Sequence, residues 1–316
     1  MKKRESKYEL LFQEVERNLP SSFRKHILSS QVKNVLEKDI HKNKESKDDW
    51  KSLKKTLDEE SIAQNKEASL RRLITKRLSE VKYKTHGNIS PPKIYTFEKN
   101  SDDLDLACGF ISHNQYFSNL SAIYFLGLTD QKIQTHYICK ETHYLSNRES
   151  VYDENLAKLT FRKNARRSNR YVQYEGTRIY FLEKQDLNML GVIDLPFKKK
   201  NKNLFYIKCT NLERTFMDSI VTPQYSGGLD SIISFFKNKS LNLTDLKKIY
   251  QTLCPVYPYW QKIGFLLELM GQKEKSRTWG KLFENLPLKK FFLDRGYRND
   301  WAFNKKWQIY YPKKIM

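Results

Sequence analysis

The residues able to do chemistry are scattered, and their spacing argues against most reactions. The segment YSGGLDS at 225–231 offers Ser226 as a nucleophile, yet no histidine lies nearby in sequence to serve as its base. Asp102, Asp103 and Asp105 cluster, but in a polar linker. Glu175 and Glu183 flank and end a strand-like pair, beside Lys184. Clustered carboxylates with a lysine are what a magnesium-dependent nuclease needs, so this is a sparse version of that pattern. His136, Cys139 and His143 have ligand-like spacing, but THYICKETHY reads as a strand and a polar turn without a fourth ligand. The Gly-x-x-x-x-Gly-Lys-Ser/Thr loop, the Gly-x-Ser-x-Gly elbow and His-Glu-x-x-His are all missing from the sequence. The expectation is a protein that is not an enzyme and carries no metal and no cofactor.

What the sequence has in excess is positive charge. Lys and Arg total 58 against 36 Asp and Glu, a net +22. Such an excess repels itself in a compact chain, and a polyanionic partner relieves it. Some of the lysine is also what an AT-rich genome would encode. The basic residues cluster. Arg71, Arg72, Lys76 and Arg77 project from a helical pattern at 68–81, and Lys82 and Lys84 follow it. Lys158, Arg162, Lys163, Arg166, Arg167 and Arg170 crowd a loop-like stretch with no acid among them, next to Tyr171 and Tyr174. Lys198, Lys199, Lys200 and Lys202 form a further loop. A solvated charged loop accounts for the lysines as well as phosphate contact does. Arginines interleaved with tyrosines point more to nucleic acid.

The elements that must position these residues follow from the apolar spacing. Two helices fill 1–44, broken at Pro20, with Leu10, Leu11, Val15 and Leu19 in the first and Phe23, Ile27, Leu28, Val32, Val35, Leu36 and Ile40 in the second. A helix carrying Trp50, Leu53, Leu57 and Ile62 comes next, and then the basic helix 68–81. VKYK and KIYTF, joined by HGNISPP, read as a hairpin over about 81–97. Helices followed by a hairpin give the order of a winged helix-turn-helix. The basic helix would enter the major groove and the hairpin would be its wing. A small helical bundle with solvated lysines is the competing reading. EKNSDDLD at 98–105 marks a linker. Beyond it, helices are expected at 119–129, 212–221, 230–238, 243–254 and 259–271, and strands at 133–140, 171–174, 177–184 and near 306–312.

Three stretches resemble the AbiEi family of antitoxins. FSNLSAIYFLGLTDQ at 117–131 carries Ser121, Ala122, Gly127, Leu128 and Thr129. NLERTFMDSIVTPQYSGGLDSII at 211–233, the most specific, carries Glu213, Arg214, Thr215, Asp218, Pro223, Tyr225, Gly227 and Gly228. QKIGFLLELMG at 261–271 is similar to a late helix of the family, with Gln261 and Lys262 where an arginine pair often stands, and Trp307 fits the tail. The likeness covers roughly residues 108–310. It implies a winged helix ahead of this region and a nucleotidyltransferase-type toxin encoded next door, without requiring a stable complex with it. The same residues make sense physically. Arg214 and Asp218 are i, i+4 neighbours, Pro223 stops a helix, Gly227 and Gly228 permit unusual backbone angles, and Asp230 suits a helix start.

The fold class expected is therefore α+β. It comprises a helical extension at 1–44, a winged helix-turn-helix at 45–100, and a mixed α/β AbiEi-like domain at 106–316. The function expected is a regulator that binds double-stranded DNA at its own operator, represses a toxin–antitoxin or phage-defence operon and counteracts the toxin. A nucleic-acid-binding or scaffolding subunit of a defence complex and a metal-dependent nuclease are the alternatives. A cognate toxin or defence-complex subunit and a dimer on DNA are possible partners. The charged N-terminus, the absence of a long apolar stretch and four widely spaced cysteines suit the cytoplasm.

Overall fold

The computed structural model describes residues 11–18, 22–23, 30–36, 38, 68, 70, 74, 78–96, 103–143, 152–198, 204–253, 255–295 and 300–315. Helix and strand are mixed, in keeping with the α+β class. The chain divides into two compact units. One comprises residues 1–111 with 172–175 and 196–206, the other 112–171 with 176–195 and 207–316.

In the first unit, residues 11–17 and 30–36 are helical. Leu11, Phe12 and Val15 share one core with Val32, Val35, Leu36, Leu70 and Ile74. The spacing is helical in each group, so each helix offers one apolar stripe. Burying such a side chain contributes about 1.5–3 kcal/mol. Strands β1 (Ser22–Phe23) and β2 (Ser79–Glu80) both pair antiparallel with β4 (Tyr95–Thr96), giving the order β1-β4-β2. The pairing of β2 with β4 continues through Val81 N to Ile94 O at 2.9 Å. The hairpin thus starts two residues earlier than the sequence suggested. Pro91 and Pro92 have no N–H to give a ladder, and the Tyr83 hydroxyl donates to Pro92 O at 2.7 Å instead. Strand β3 (Lys84–His86) leaves the hairpin and lies beside β7 (Tyr171–Tyr174) through residues 172–174. Helix α1 (Asp103–Phe110) begins inside the stretch read as a linker, and Phe110 packs edge-on against Tyr83 at 5.0 Å.

The second unit contains β5 (Gln115–Phe117), α2 (Leu120–Phe125), β6 (Thr135–Thr142), α3 (Glu154–Arg162) and β8 (Thr177–Gln185). It also holds parts of β9 (Val192–Lys198) and β10 (Leu204–Thr210). Its strands run in the order β8-β6-β5-β10-β9. Strands β6 and β8 are parallel, with Tyr137 opposite Tyr180 and Glu141 opposite Lys184. Helix α3 replaces the first part, 158–162, of the loop expected over 158–170, and 163–170 is irregular: Asp153 caps the helix by accepting from Leu156 N, and Ala157 and Phe161 form its buried side. Five more helices follow: α4 (Leu212–Val221), α5 (Leu229–Phe236), α6 (Leu243–Leu253), α7 (Tyr259–Leu269) and α8 (Lys273–Lys281). The expected 212–221 helix has those bounds, and the other expected helices shift by a few residues. Strands β11 (Phe291–Phe292), β12 (Trp301–Asn304) and β13 (Ile309–Pro312) make a small sheet ordered β11-β13-β12. Trp307 packs where two helices lack side chains. A Cβ on Gly264 would lie 2.1 Å from its ring, and one on Gly280 would lie 3.2 Å away. No helix among the described residues is long and apolar enough to cross a membrane.

Candidate functional site

The family-like residues of α4 meet residues that sequence reading did not connect to them. Asn211 caps the helix by accepting from Arg214 N at 2.9 Å, and Glu213 adds negative charge to its first turn. The helix is then buried from Glu213 to Ile220, so its charged side chains must find partners inside the protein. Arg214 Nε donates to Asp218 Oδ1 at 3.1 Å, which is the i, i+4 pair expected. Its other nitrogens donate to Leu190 O at 2.8 Å, Tyr116 Oη at 3.0 Å and Glu141 Oε1 at 3.2 Å. Asp218 Oδ2 accepts from Ser118 Oγ at 2.7 Å and lies 2.8 Å from Lys184 Nζ. Lys184 also donates to Ser118 Oγ at 2.7 Å and Asn119 Oδ1 at 2.9 Å.

Two cations and two carboxylates thus balance in a node whose polar atoms are nearly all engaged. Burial pushes the Asp218 carboxyl up, but Arg214 and then Lys184 outweigh it and hold it at about 2. Burial works against the Arg214 charge, and Asp218, Tyr116 and Glu141 more than restore it. Burial, opposed by Arg214, drives the Tyr116 hydroxyl up, and burial, opposed by Lys184, drives the Cys139 thiol up.

The node secures a turn. Glu141 Oε2 accepts from Leu187 N at 3.0 Å and Met189 N at 2.8 Å, while Arg214 takes Leu190 O. Asn188 and Met189 have φ of 53° and 56°, a region L side chains rarely adopt, and Gly191 follows at 76°. A Cβ on Gly191 would sit 2.7 Å from Arg214 Cβ, so the turn and the arginine fit only with glycine there. The chemistry supported by this node is positioning: its hydroxyls and ammonium are tied to one another.

The other family-like residues also have local duties. Ser121 Oγ accepts from Tyr137 N at 2.8 Å, and Glu213 Oε1 from Asn242 N at 2.9 Å. The hydroxyls of Thr215 and Thr210 are 2.7 Å apart. Gly127 follows α2 with φ 64°, Pro223 opens a short 3-10 turn after α4, and Gly227 and Gly228 precede α5 with φ of 81° and 87°.

The basic residues lie elsewhere. Lys82 and Lys84 are exposed and line a 400 Å³ cleft of the first unit with Tyr83, Gln173, Tyr174 and Glu175. Arg162, Lys163, Arg166 and Arg167 are exposed at the end of α3 and beyond it. Arg170 differs, being paired with Glu183 at 2.6 Å. Arg71, Arg72, Lys76 and Arg77, together with Lys199, Lys200 and Lys202, lie outside the described residues.

The residues singled out for catalysis are dispersed. Ser226 is buried, donates to Ser219 Oγ at 2.9 Å and accepts from Asn119 at 3.2 Å. Glu183 and Lys184 alternate on β8, so one meets Arg170 outside and the other the node inside. Glu175 is an exposed turn residue with φ 49°. His136 and Cys139 are buried, while His143 is exposed and pairs with Asp186 at 2.8 Å. Among the described residues no three His, Cys, Asp or Glu side chains converge as a metal site. Tyr116, Ser118, Asn119 and Glu141 were missed as partners of α4, since Ser118 and Asp218 stand 100 positions apart and no local pattern joins them.

No known family model matches the chain, and no curated protein matches it. Among solved structures it is similar to the crystal structure of the RV2827C protein from Mycobacterium tuberculosis. The TM-score is 0.51 at 10% identity, over 95% of this chain and 89% of that one. At that identity the likeness concerns the fold alone.

Proposed function

We propose that the chain is a DNA-binding regulator of the antitoxin type, whose winged helix-turn-helix is formed by residues 11–96. The observation that carries the reading is the strand order β1-β4-β2, with Tyr95 of β4 packed against the core that the helical residues share. Helix, strand, helix, helix, strand, strand, with the first strand beside the last, is the arrangement a winged helix needs. In this reading the helices at 11–17 and 30–36 belong to the DNA-binding unit. The basic run Arg71, Arg72, Lys76 and Arg77, whose spacing predicts a helix, reads the major groove, and Lys82 after β2 and Lys84 on β3 meet the phosphates. The net charge of +22 and the exposed arginines of 162–167 support a polyanionic partner. The resemblance of three segments to the AbiEi family, with Arg214 and Asp218 of the second at the α4 node, supports a cytoplasmic antitoxin that counteracts a nucleotidyltransferase-type toxin.

The test is a gel-shift titration on the chain's own upstream DNA against scrambled DNA, at low and at physiological salt. A regulator keeps its preference for the upstream sequence as salt rises and loses it in Arg71→Ala/Arg72→Ala. Binding without preference that vanishes with salt refutes operator recognition. With six phosphates neutralised, affinity falls by roughly three decades between about 50 and 200 mM salt.

A further inference from the structure

One face of the β6–β8 pair carries aromatic residues that the fold does not fully cover. Tyr137 on β6 and Tyr180 on β8 are register partners, stacked with ring centroids 5.5 Å apart. Tyr171 lies 4.9 Å from Tyr180, and Tyr225, just after α4, lies 5.2 Å from Tyr137. The four rings form a continuous row. Within it Tyr137 is buried, whereas Tyr171, Tyr180 and Tyr225 remain partly open to solvent.

Arginines border this row and are held there by the backbone. The Arg178 guanidinium sits 5.7 Å from the centre of the Tyr171 ring. The segment after α3 is tied down at three points. Ser168 N donates to Tyr225 Oη at 2.8 Å, Gln224 Nε2 to Arg166 O at 3.2 Å, and Phe181 N to Arg170 O at 2.9 Å. Burial pushes the Tyr137 and Tyr225 phenols up, and the charge of Arg167 opposes the rise in both, which places that charge beside the row. Among the described residues Arg166, Arg167 and Arg178 have no acidic partner within ion-pair distance.

We propose that this tyrosine row, with Arg166, Arg167 and Arg178, binds an unpaired polynucleotide strand, the bases stacking on the rings and the phosphates meeting the arginines. A duplex offers arginines its phosphates but hides its base faces, so an aromatic row beside free guanidinium groups fits a single strand better. The inference deepens the reading of the Arg162–Arg170 segment as a nucleic-acid contact and rests on that reading for its polyanion. RNA and DNA share this chemistry.

The experiment uses the full chain carrying Arg71→Ala, Arg72→Ala, Lys82→Ala and Lys84→Ala, which silences the proposed duplex site. Fluorescence polarisation is read with labelled oligouridylate, oligothymidylate and a duplex of equal length. The expected result is tighter binding of at least one single strand than of the duplex. Preference for uridylate assigns the site to RNA, and preference for thymidylate assigns it to DNA. Tyr180→Ala weakens that binding about tenfold, whereas Tyr180→Phe, which keeps the ring, leaves it unchanged. Arg167→Ala and Arg178→Ala, both at exposed positions, each reduce the salt slope by roughly 0.7. Equal or tighter duplex binding overturns the proposal, as does single-strand binding indifferent to both arginine variants. Loss of operator binding by the unaltered chain, with single-strand binding intact, would refute the regulator reading and leave this one standing.

Discussion

Arg214→Ala is expected to destabilise the second unit by about 3–5 kcal/mol, the cost of stripping one partner from a buried ion pair. The arginine side chain is 2% exposed, Glu141 5% and Asp218 10%. Its removal leaves Asp218 with Lys184 alone, Glu141 without its cation, and Leu190 O without its donor in the turn that carries Asn188 and Met189 at positive φ. Arg214→Lys should recover a minor part, because an ammonium cannot reach Asp218, Leu190 O and Glu141 with one planar fork. Urea unfolding followed by tryptophan fluorescence reads this unit well, since Trp260, Trp279, Trp301 and Trp307 lie in it. A loss below about 1 kcal/mol, the range of a surface pair, would refute the claim that the node is a buried keystone. Full rescue by lysine would refute the argument from the fork.

Other perturbations follow from the same structure. Asp218, held at about 2 against an ordinary 3.8, stabilises the fold above pH 4, and that contribution of about 2 kcal/mol is lost as pH falls from 4 through 2. Comparing acid unfolding of the unaltered chain with Asp218→Asn isolates it. Lys262 is buried with its ammonium on Ile220 O, and burial lowers it from 10.5 to about 8. The unfolded chain therefore binds more protons between those values. The unaltered chain should gain about 3 kcal/mol relative to Lys262→Met as pH rises from 8 to 10.5, and parallel urea curves would contradict this. Gly264→Ala places a Cβ 2.1 Å from the Trp307 ring and should cost about 1–3 kcal/mol or more, with a changed near-UV dichroism signal from that indole. Unchanged thermal stability would show that the packing there is loose.

What was legible in the sequence is what local pattern encodes. Helix α4 was expected at 212–221 with Pro223 as its stop, and it has those bounds. The pairing of Arg214 with Asp218 followed from one helical turn. Helix α3 was hidden because Leu156 and Leu159 are exposed, so its apolar residues do not trace one buried stripe and the basic run dominated. The node was hidden for a different reason. Tyr116, Glu141 and Lys184 sit on three strands brought side by side only by the sheet, and nothing near them in sequence refers to α4. The start of β2 was misplaced because Val81 and Tyr83 look like strand residues, while the ladder runs through Ser79, Glu80 and Val81 and stops before Pro92 and Pro91.

Recognition of a specific duplex is tested by DNase footprinting of the chain's own upstream region. One discrete protected stretch is expected at physiological salt, present with the unaltered chain and missing with Arg71→Ala/Arg72→Ala. Uniform protection along the fragment, or none at concentrations that saturate a generic polyanion, would contradict it.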